Sequence, residues 1–268
     1  MQTQRACCTG KGTGLPLGGR SIGGYAAQAG DPLGRSIIRH QNRNGGESEK
    51  AMWSWSLNWG EVTDSIVVGT CPMTPEDLRR IRDEAAVTAV LSLQHDDCHD
   101  YWKIDYPLML KAGAELGLAM RRCPIQDFDI EDMRRRLPQS VPELVSLRST
   151  GHRVYVHCTA GLGRAPLTVL AYLIMVERRD PEETIHLILR ARPEAVPSWE
   201  AYYGFRMDLA TLHRRDIERR AHELHSEGVN RSPQADWCQA EEEILAAALS
   251  RVSGKEPSIA GKELSKET

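Results

Sequence analysis

What most constrains this chain is the run Val154-Tyr155-Val156-His157-Cys158-Thr159-Ala160-Gly161-Leu162-Gly163-Arg164-Ala165-Pro166. A short β-branched and aromatic stretch leads into a cysteine. Two glycines occupy the loop after it, and a strongly apolar helical stretch, Arg164 to Arg178, begins at the arginine. Such a helix is expected to be buried. Strand, loop and helix in this order predict an α/β fold.

The flanking sequence agrees. Ile66-Val67-Val68, Val87 to Leu93, Leu118 to Ile125 and Val154-Tyr155-Val156 have strand length and composition. Thr74-Pro75-Glu76-Asp77 combines an N-cap, a proline at the first helical position and an acid at the third, which predicts a helix to about Ala85. Asp180-Pro181-Glu182-Glu183 repeats that signature. Asp105 to Leu116 reads as a helix closed by Gly117. Ile130 to Leu147 reads as one or two helices interrupted at Pro138 and Pro142, and Ser198 to Leu224 and Asp236 to Ser250 as one helix each. Strands alternating with helices predict a central, mostly parallel sheet flanked by helices.

A cysteine and an arginine separated by five residues are a weak signal as bare spacing. A buried strand-end cysteine and a surface arginine at a helix start would produce it too. The strand, glycines and helix around the pair make it informative. A loop of this length can wrap with its backbone N–H groups inward, and Gly161 and Gly163 are expected to supply the unusual dihedrals. Inward N–H groups from Thr159, Ala160, Gly161, Leu162 and Gly163, next to a helix N-terminus, make a cradle for phosphate. Arg164 adds a planar fork for two of its oxygens. The same positive field favours the thiolate of Cys158, the nucleophilic form.

Attack by a thiolate on a phosphate ester requires an acid for the departing oxygen. Asp127, Asp129, Glu131 and Asp132 form the densest carboxylate cluster, between a strand and a helix, and spacing alone does not choose among them. One of Asp129 and Asp132 is expected to cap the helix. His157 is expected to orient the loop through hydrogen bonds rather than to act as a base. No metal-ligand set is apparent; the seven cysteines include no Cys-x-x-Cys pair.

At these residues the chain resembles the dual-specificity branch of the cysteine-dependent phosphatases, whose fold has a central, mostly parallel sheet and which use no metal or other cofactor. The resemblance implies Cys158 as nucleophile, Arg164 as phosphate-binding arginine and Thr159 to Gly163 as the cradle. Arg192-Pro193 and Pro197 resemble the Arg-Pro…Pro segment of that family. Residues 157–166 are most similar to the loop of plant and algal glucan phosphatases of the starch-excess and like-starch-excess type, including Ala165. In that subgroup the acid loop reads Asp-Phe-Asp, which implies Asp127 as general acid and Phe128 as a glucan-facing ring. Tyr101-Trp102 and Trp59 resemble further glucan contacts, Trp59 standing in place of the usual tyrosine. Ser92 stands where some relatives have a cysteine that pairs with the nucleophile; Cys98 or Cys123 would substitute only if the fold brought one close. The resemblance spans roughly residues 57–205 and implies a phosphoglucan phosphatase. A dual-specificity protein phosphatase acting on phospho-Ser/Thr/Tyr and a non-catalytic glucan- or phosphoprotein-binding scaffold are the alternatives.

The implied organisation is a disordered leader over 1–51, the phosphatase domain with its glucan-recognition segment over 52–205, and a helical segment with a disordered tail over 206–268, too short and too helical for a carbohydrate-binding module. The leader holds eleven of the 22 glycines and no acid before Asp31, and it lacks the apolar core of a secretory signal. A plastid transit peptide and a solvated tail both fit it; plastid and cytoplasmic locations are the corresponding expectations. With 41% hydrophobic and 26% charged residues, wholesale disorder is excluded. A net charge of −3 argues against a general nucleic-acid binder. No apolar stretch approaches the ~18 residues of a membrane span. The expected partner is a phosphorylated glucan or phosphoprotein, and the expected state a monomer.

Overall fold

A computed structural model describes residues 54–227 and 232–251 of the 268. The readings for the leader and for the tail after residue 251 lie outside the described residues. The strands and helices of the described residues all lie within Leu57–Thr268.

Five strands form one sheet: β1 (Trp59–Thr63), β2 (Ile66–Gly69), β3 (Ala89–Gln94), β4 (Ala119–Ile125) and β5 (Val154–His157), in the order β1-β2-β5-β3-β4. Only β1 runs antiparallel; β2, β5, β3 and β4 are parallel neighbours. All of β2, β3 and β5 is buried, as continuous apolar strands covered on both faces must be. In such sheets, ligands bind in the crevice beyond the carboxyl ends of the strands. Cys158 leaves the central strand at that end.

The helices are α1 (Pro75–Glu84), α2 (Asp96–Trp102), α3 (Tyr106–Glu115), α4 (Ile130–Ser149), α5 (Arg164–Met175), α6 (Pro181–Ala191), α7 (Trp199–Leu212), α8 (Arg214–Ser226) and α9 (Pro233–Arg251). The capping signatures behave as the sequence predicts. The Thr74 side chain accepts from the Asp77 N–H at 3.2 Å, and Asp77 accepts from the Thr74 N–H at 2.9 Å. Asp180 accepts from the N–H groups of Glu182 and Glu183 at 2.8 and 3.0 Å. The segment α5 is buried almost throughout; Leu167, Val169, Leu170 and Leu173 have no exposed surface. Each such side chain contributes about 1.5–3 kcal/mol of burial free energy.

Three features differ from the expectation. First, α4 runs unbroken through Pro138 and Pro142. Each proline removes one helical donor, but Leu137, Val141 and Leu144 are fully buried on the core-facing side, and that packing holds the segment straight through. Second, the predicted helix from Ser198 to Leu224 is two helices, α7 and α8, joined at His213 (φ −101°, ψ 15°). Buried Phe205, Leu209, Ile217 and Leu224 keep one helical spacing across the join, which is why periodicity does not reveal it. His213 stands where the next apolar residue of the stripe would fall. Third, β1 and α2 are additional elements. The C-terminal helix α9 packs against α4, α5, α7 and α8, with ion pairs Arg220–Glu243 at 2.8 Å and Arg206–Glu241 at 2.8 Å. Among the described residues, no helix is long and apolar enough to cross a membrane.

Candidate active site

The loop that carries Cys158 is shaped by close approach. Gly161 has φ +69°, and a Cβ there would lie 2.4 Å from the carbonyl oxygen of Gly69 at the end of β2. No L side chain fits that conformation and that space together. Gly163 differs from the expectation: its φ is −111°, and a Cβ there would meet nothing within 4 Å. The dihedral requirement therefore falls on Gly161 alone. Gly163 is the N-cap of α5 and makes no side-chain capping bond.

Arg164, the first residue of α5, is 1% exposed. Its Nη1 donates to the carbonyl of Ile125 at 2.9 Å and to the Cys98 Sγ at 3.4 Å. Its Nη2 donates to Asp127 Oδ2 at 2.6 Å and to Thr159 Oγ1 at 3.2 Å. Its Nε is buried and makes no hydrogen bond. Burial opposes the charge, but Cys158, Asp127 and Cys98 beside it outweigh that, and the guanidinium pKa stands above the ordinary arginine value. A cation this deep needs anionic company, and Asp127 supplies it.

The acidic cluster separates by position. Asp129 caps α4, accepting from the Asp132 N–H at 2.8 Å. Asp132 turns back to accept from the Gln126 N–H at 2.8 Å. Asp127 is the carboxylate that reaches Arg164. Between them Phe128 holds φ +59°, a left-handed conformation costly for a bulky residue, and its ring is 82% exposed. Strain and exposure together at one aromatic are characteristic of functional loops.

Tyr101 and Trp102 form an edge-to-face pair with centroids 5.1 Å apart at the end of α2, the helix that brings Cys98 to Arg164; Tyr101 is 50% exposed. Trp59 is half-buried and packs edge-on against Tyr155 at 6.4 Å. Thr159, Ala160, Leu162 and Gly163 are partly exposed around buried Cys158. Sequence reasoning passed over two contacts. The sequence offered Cys98 only as a conditional pairing partner for Cys158 and gave no sign of its contact with Arg164, and Gln94 donates to Thr159 Oγ1 at 3.3 Å. Gln94 ends β3, next to β5; the end of a parallel strand beside the loop was the available signal. Cys123, by contrast, belongs to the hydrophobic core, where burial pushes its thiol up to about 12.

His157 is buried, and its Nδ1–H donates to the Cys158 carbonyl at 3.0 Å. Burial pushes its pKa down to about 4, with smaller contributions from His99 and Arg164 in the same direction; the bond to Cys158 opposes them. The ring is therefore neutral at pH 7, as suits an orienting group. Its folded pKa lies below the unfolded value of about 6.5. The stability it confers is thus complete above that value and declines as pH falls toward about 4. Full protonation corresponds to a loss of order 3 kcal/mol. Urea midpoints between pH 7 and pH 4.5 should fall less steeply for His157→Gln than for the unaltered protein; parallel curves would refute this.

Residues 81–204 match the family described as the catalytic domain of dual specificity phosphatases. Those residues carry a cysteine-dependent phosphatase domain of the dual-specificity type. The matched stretch begins later than the resemblance read from the sequence, inside α1. The amyloplastic phosphoglucan phosphatase DSP4 of Castanea sativa is 32% identical over 163 residues, 60% of this chain and 43% of its own. The chloroplastic phosphoglucan phosphatase LSF1 of Arabidopsis thaliana is 36% identical over 117 residues, 44% of this chain and 20% of its own. Phosphatidylglycerophosphatase and protein-tyrosine phosphatase 1 of Homo sapiens is 41% identical over 138 residues, 49% of this chain and 63% of its own. The chain thus spans less than half the length of the two plant relatives.

Proposed function

We propose that this chain hydrolyses phosphomonoesters through a phosphocysteine, with phosphorylated protein side chains as the leading substrate class. The observation that carries the reading is the buried guanidinium of Arg164, which joins Asp127 to the Cys158 loop and keeps one donor, Nε, unused. In the proposed reaction the phosphoryl oxygens take the loop N–H groups of Thr159 to Gly163 and the Arg164 fork. They compete with Asp127 for Nη2 and so release its carboxyl toward the leaving oxygen. The Cys158 thiolate attacks phosphorus; the P–O bond to the leaving group breaks, and Asp127 gives that oxygen its proton. Asp127 then takes a proton from water, the water oxygen bonds to phosphorus, and the P–S bond breaks to return the thiolate.

The family match and the human relative, named in part for protein tyrosine phosphatase activity, support phosphoprotein substrates. A phosphoglucan substrate is the second reading. It is favoured by the 82% exposed ring of Phe128 beside Asp127, by the exposed Tyr101 of the Tyr101–Trp102 pair, and by the names of the two plant relatives. Flat sugar faces stack on such rings. Plastid location belongs with that second reading.

Phosphate release from p-nitrophenyl phosphate, phosphotyrosyl and phosphothreonyl peptides and phosphorylated amylopectin, measured in parallel, tests both. The proposal expects turnover of the first three. A kcat/KM on amylopectin at least ~10-fold above that on either peptide, reduced about 3–10-fold by Phe128→Ala with the aryl phosphate unaffected, would establish the glucan reading instead. No hydrolysis of any substrate would overturn the catalytic reading.

A further inference from the structure

The cradle works only if its peptide N–H groups face inward, and the structure shows what turns them. A trans peptide is planar, so its C=O and N–H point in opposite directions. A donor that holds a carbonyl outside the loop therefore aims the next residue's N–H into it. Three such holds are present. The Cys71 N–H donates to the Thr159 carbonyl at 3.0 Å, the Arg192 Nη2 to the Ala160 carbonyl at 2.8 Å, and the Val196 N–H to the Leu162 carbonyl at 2.7 Å. They aim the N–H groups of Ala160, Gly161 and Gly163.

Arg192 is the side chain among these donors; the other two are backbone. It also links the segments that supply them. Its Nη1 donates to Asn58 Oδ1, and Asn58 exchanges hydrogen bonds with Thr70, the residue before Cys71: Asn58 N–H to Thr70 Oγ1 at 3.0 Å, and Thr70 N–H to the Asn58 carbonyl at 3.0 Å. On its other side, the Arg192 carbonyl accepts from the Ala195 N–H at 2.9 Å, which sets the turn that presents Val196. The peptide that Arg192 aims precedes Gly161, the residue with φ +69° and the least freedom to be held another way. A Cβ on Gly161 would come within 3.2 Å of Arg192 Nη2, so the two positions are matched in space.

We infer that Arg192 is a positioning residue for oxyanion binding: by holding the Ala160 carbonyl it turns the Gly161 N–H into the cradle and keeps the loop in its anion-binding form. The guanidinium touches the outside of the loop and acts on the phosphoryl group only through it. This inference rests on the proposed phosphatase reading of the same loop.

The test uses the full chain, with tungstate as a phosphate-shaped probe in calorimetry and p-nitrophenyl phosphate in turnover. Arg192→Met should weaken tungstate binding about 10-fold or more and lower kcat/KM by a similar factor. Arg192→Lys, which keeps a donor but loses the fork, should recover part of both. A merely structural arginine would move the melting temperature and leave tungstate affinity in the folded protein unchanged. A folded Arg192→Met protein that binds tungstate within about twofold of the unaltered chain overturns the inference. If Arg192→Met does not fold, Asn58→Leu decides. It leaves Arg192 in place but frees one of its two anchors, so weaker tungstate binding supports the inference and unchanged binding overturns it. Tungstate binding needs no turnover, so the readings fail separately. An unaltered chain that binds tungstate but hydrolyses nothing refutes the phosphatase reading alone. An active chain with an indifferent Arg192→Met refutes the positioning role alone.

Discussion

Cys158→Ser is expected to lower phosphate release by ~10⁴-fold or more while leaving tungstate binding within about threefold of the unaltered protein. Serine is close in size to cysteine, and Cys158 is 3% exposed at the end of a fully buried strand, so the loop around it keeps its shape. What changes is the nucleophile: serine offers a hydroxyl, a far weaker nucleophile at neutral pH than a cysteine sulfur. The cradle N–H groups and Arg164 remain, and with them the anion site. Single-turnover phosphate release and tungstate calorimetry on the same preparation check both halves. A variant that hydrolyses p-nitrophenyl phosphate at the unaltered rate would remove Cys158 from the chemistry. Loss of tungstate binding together with turnover would mean that the thiol also holds the loop.

Arg164→Lys is the second large effect, a fall in kcat/KM of ~10³-fold. Lysine preserves the charge, so the comparison isolates geometry. The Arg164 fork reaches four acceptors in different directions, the Ile125 carbonyl, Cys98 Sγ, Asp127 Oδ2 and Thr159 Oγ1, and holds a fifth donor in reserve. A lysine ammonium, with three donors on one nitrogen, cannot reach the Ile125 carbonyl, Thr159 Oγ1 and two phosphoryl oxygens together. Charge on those oxygens reorganises in the transition state, so the loss should appear in kcat as well as in KM. Steady-state kinetics on p-nitrophenyl phosphate measure it. A loss of less than about 10-fold would show that the guanidinium serves the fold more than the reaction. Melting temperatures supply a control, because Arg164→Lys also changes a buried ion pair.

The parts of this site that were legible in the sequence are those within a few residues of one another. The strand Val154–His157, the glycine-bearing loop and the apolar helix after it announce themselves through β-branching, backbone freedom and apolar content. The N-caps at Thr74 and Asp180 are written in four residues each. Legibility ended where packing overrode local preference. Pro138 and Pro142 predicted an interruption that the buried face of α4 overrules. The apolar spacing from Phe205 to Leu224 concealed the join at His213. The edge strand β1 has a short, mixed sequence, and it needs a glycine only because a Cβ on Gly60 would run into the carbonyl of Ala191. That constraint exists only in the folded chain.

The acid cluster shows the same division. Four carboxylates in six residues were equivalent by spacing; the folded loop sends Asp129 to the helix cap, Asp132 to the Gln126 N–H and Asp127 to Arg164. Cys98, which the sequence offered only as a conditional partner for Cys158, lies at Arg164 across 66 residues, and Arg192 holds the loop across 32.

By itself, then, the sequence determined the α/β class, the run from Cys158 to Arg164 and the caps that start α1 and α6, because sterics, capping and apolar patterning act between near neighbours along the chain. Tertiary structure alone decided which carboxylate meets the guanidinium, which of two glycines must be a glycine, and what holds the loop carbonyls outward. Those outcomes depend on how separate strands and helices pack, and no local pattern encodes the distance between residues that meet only after the sheet has formed.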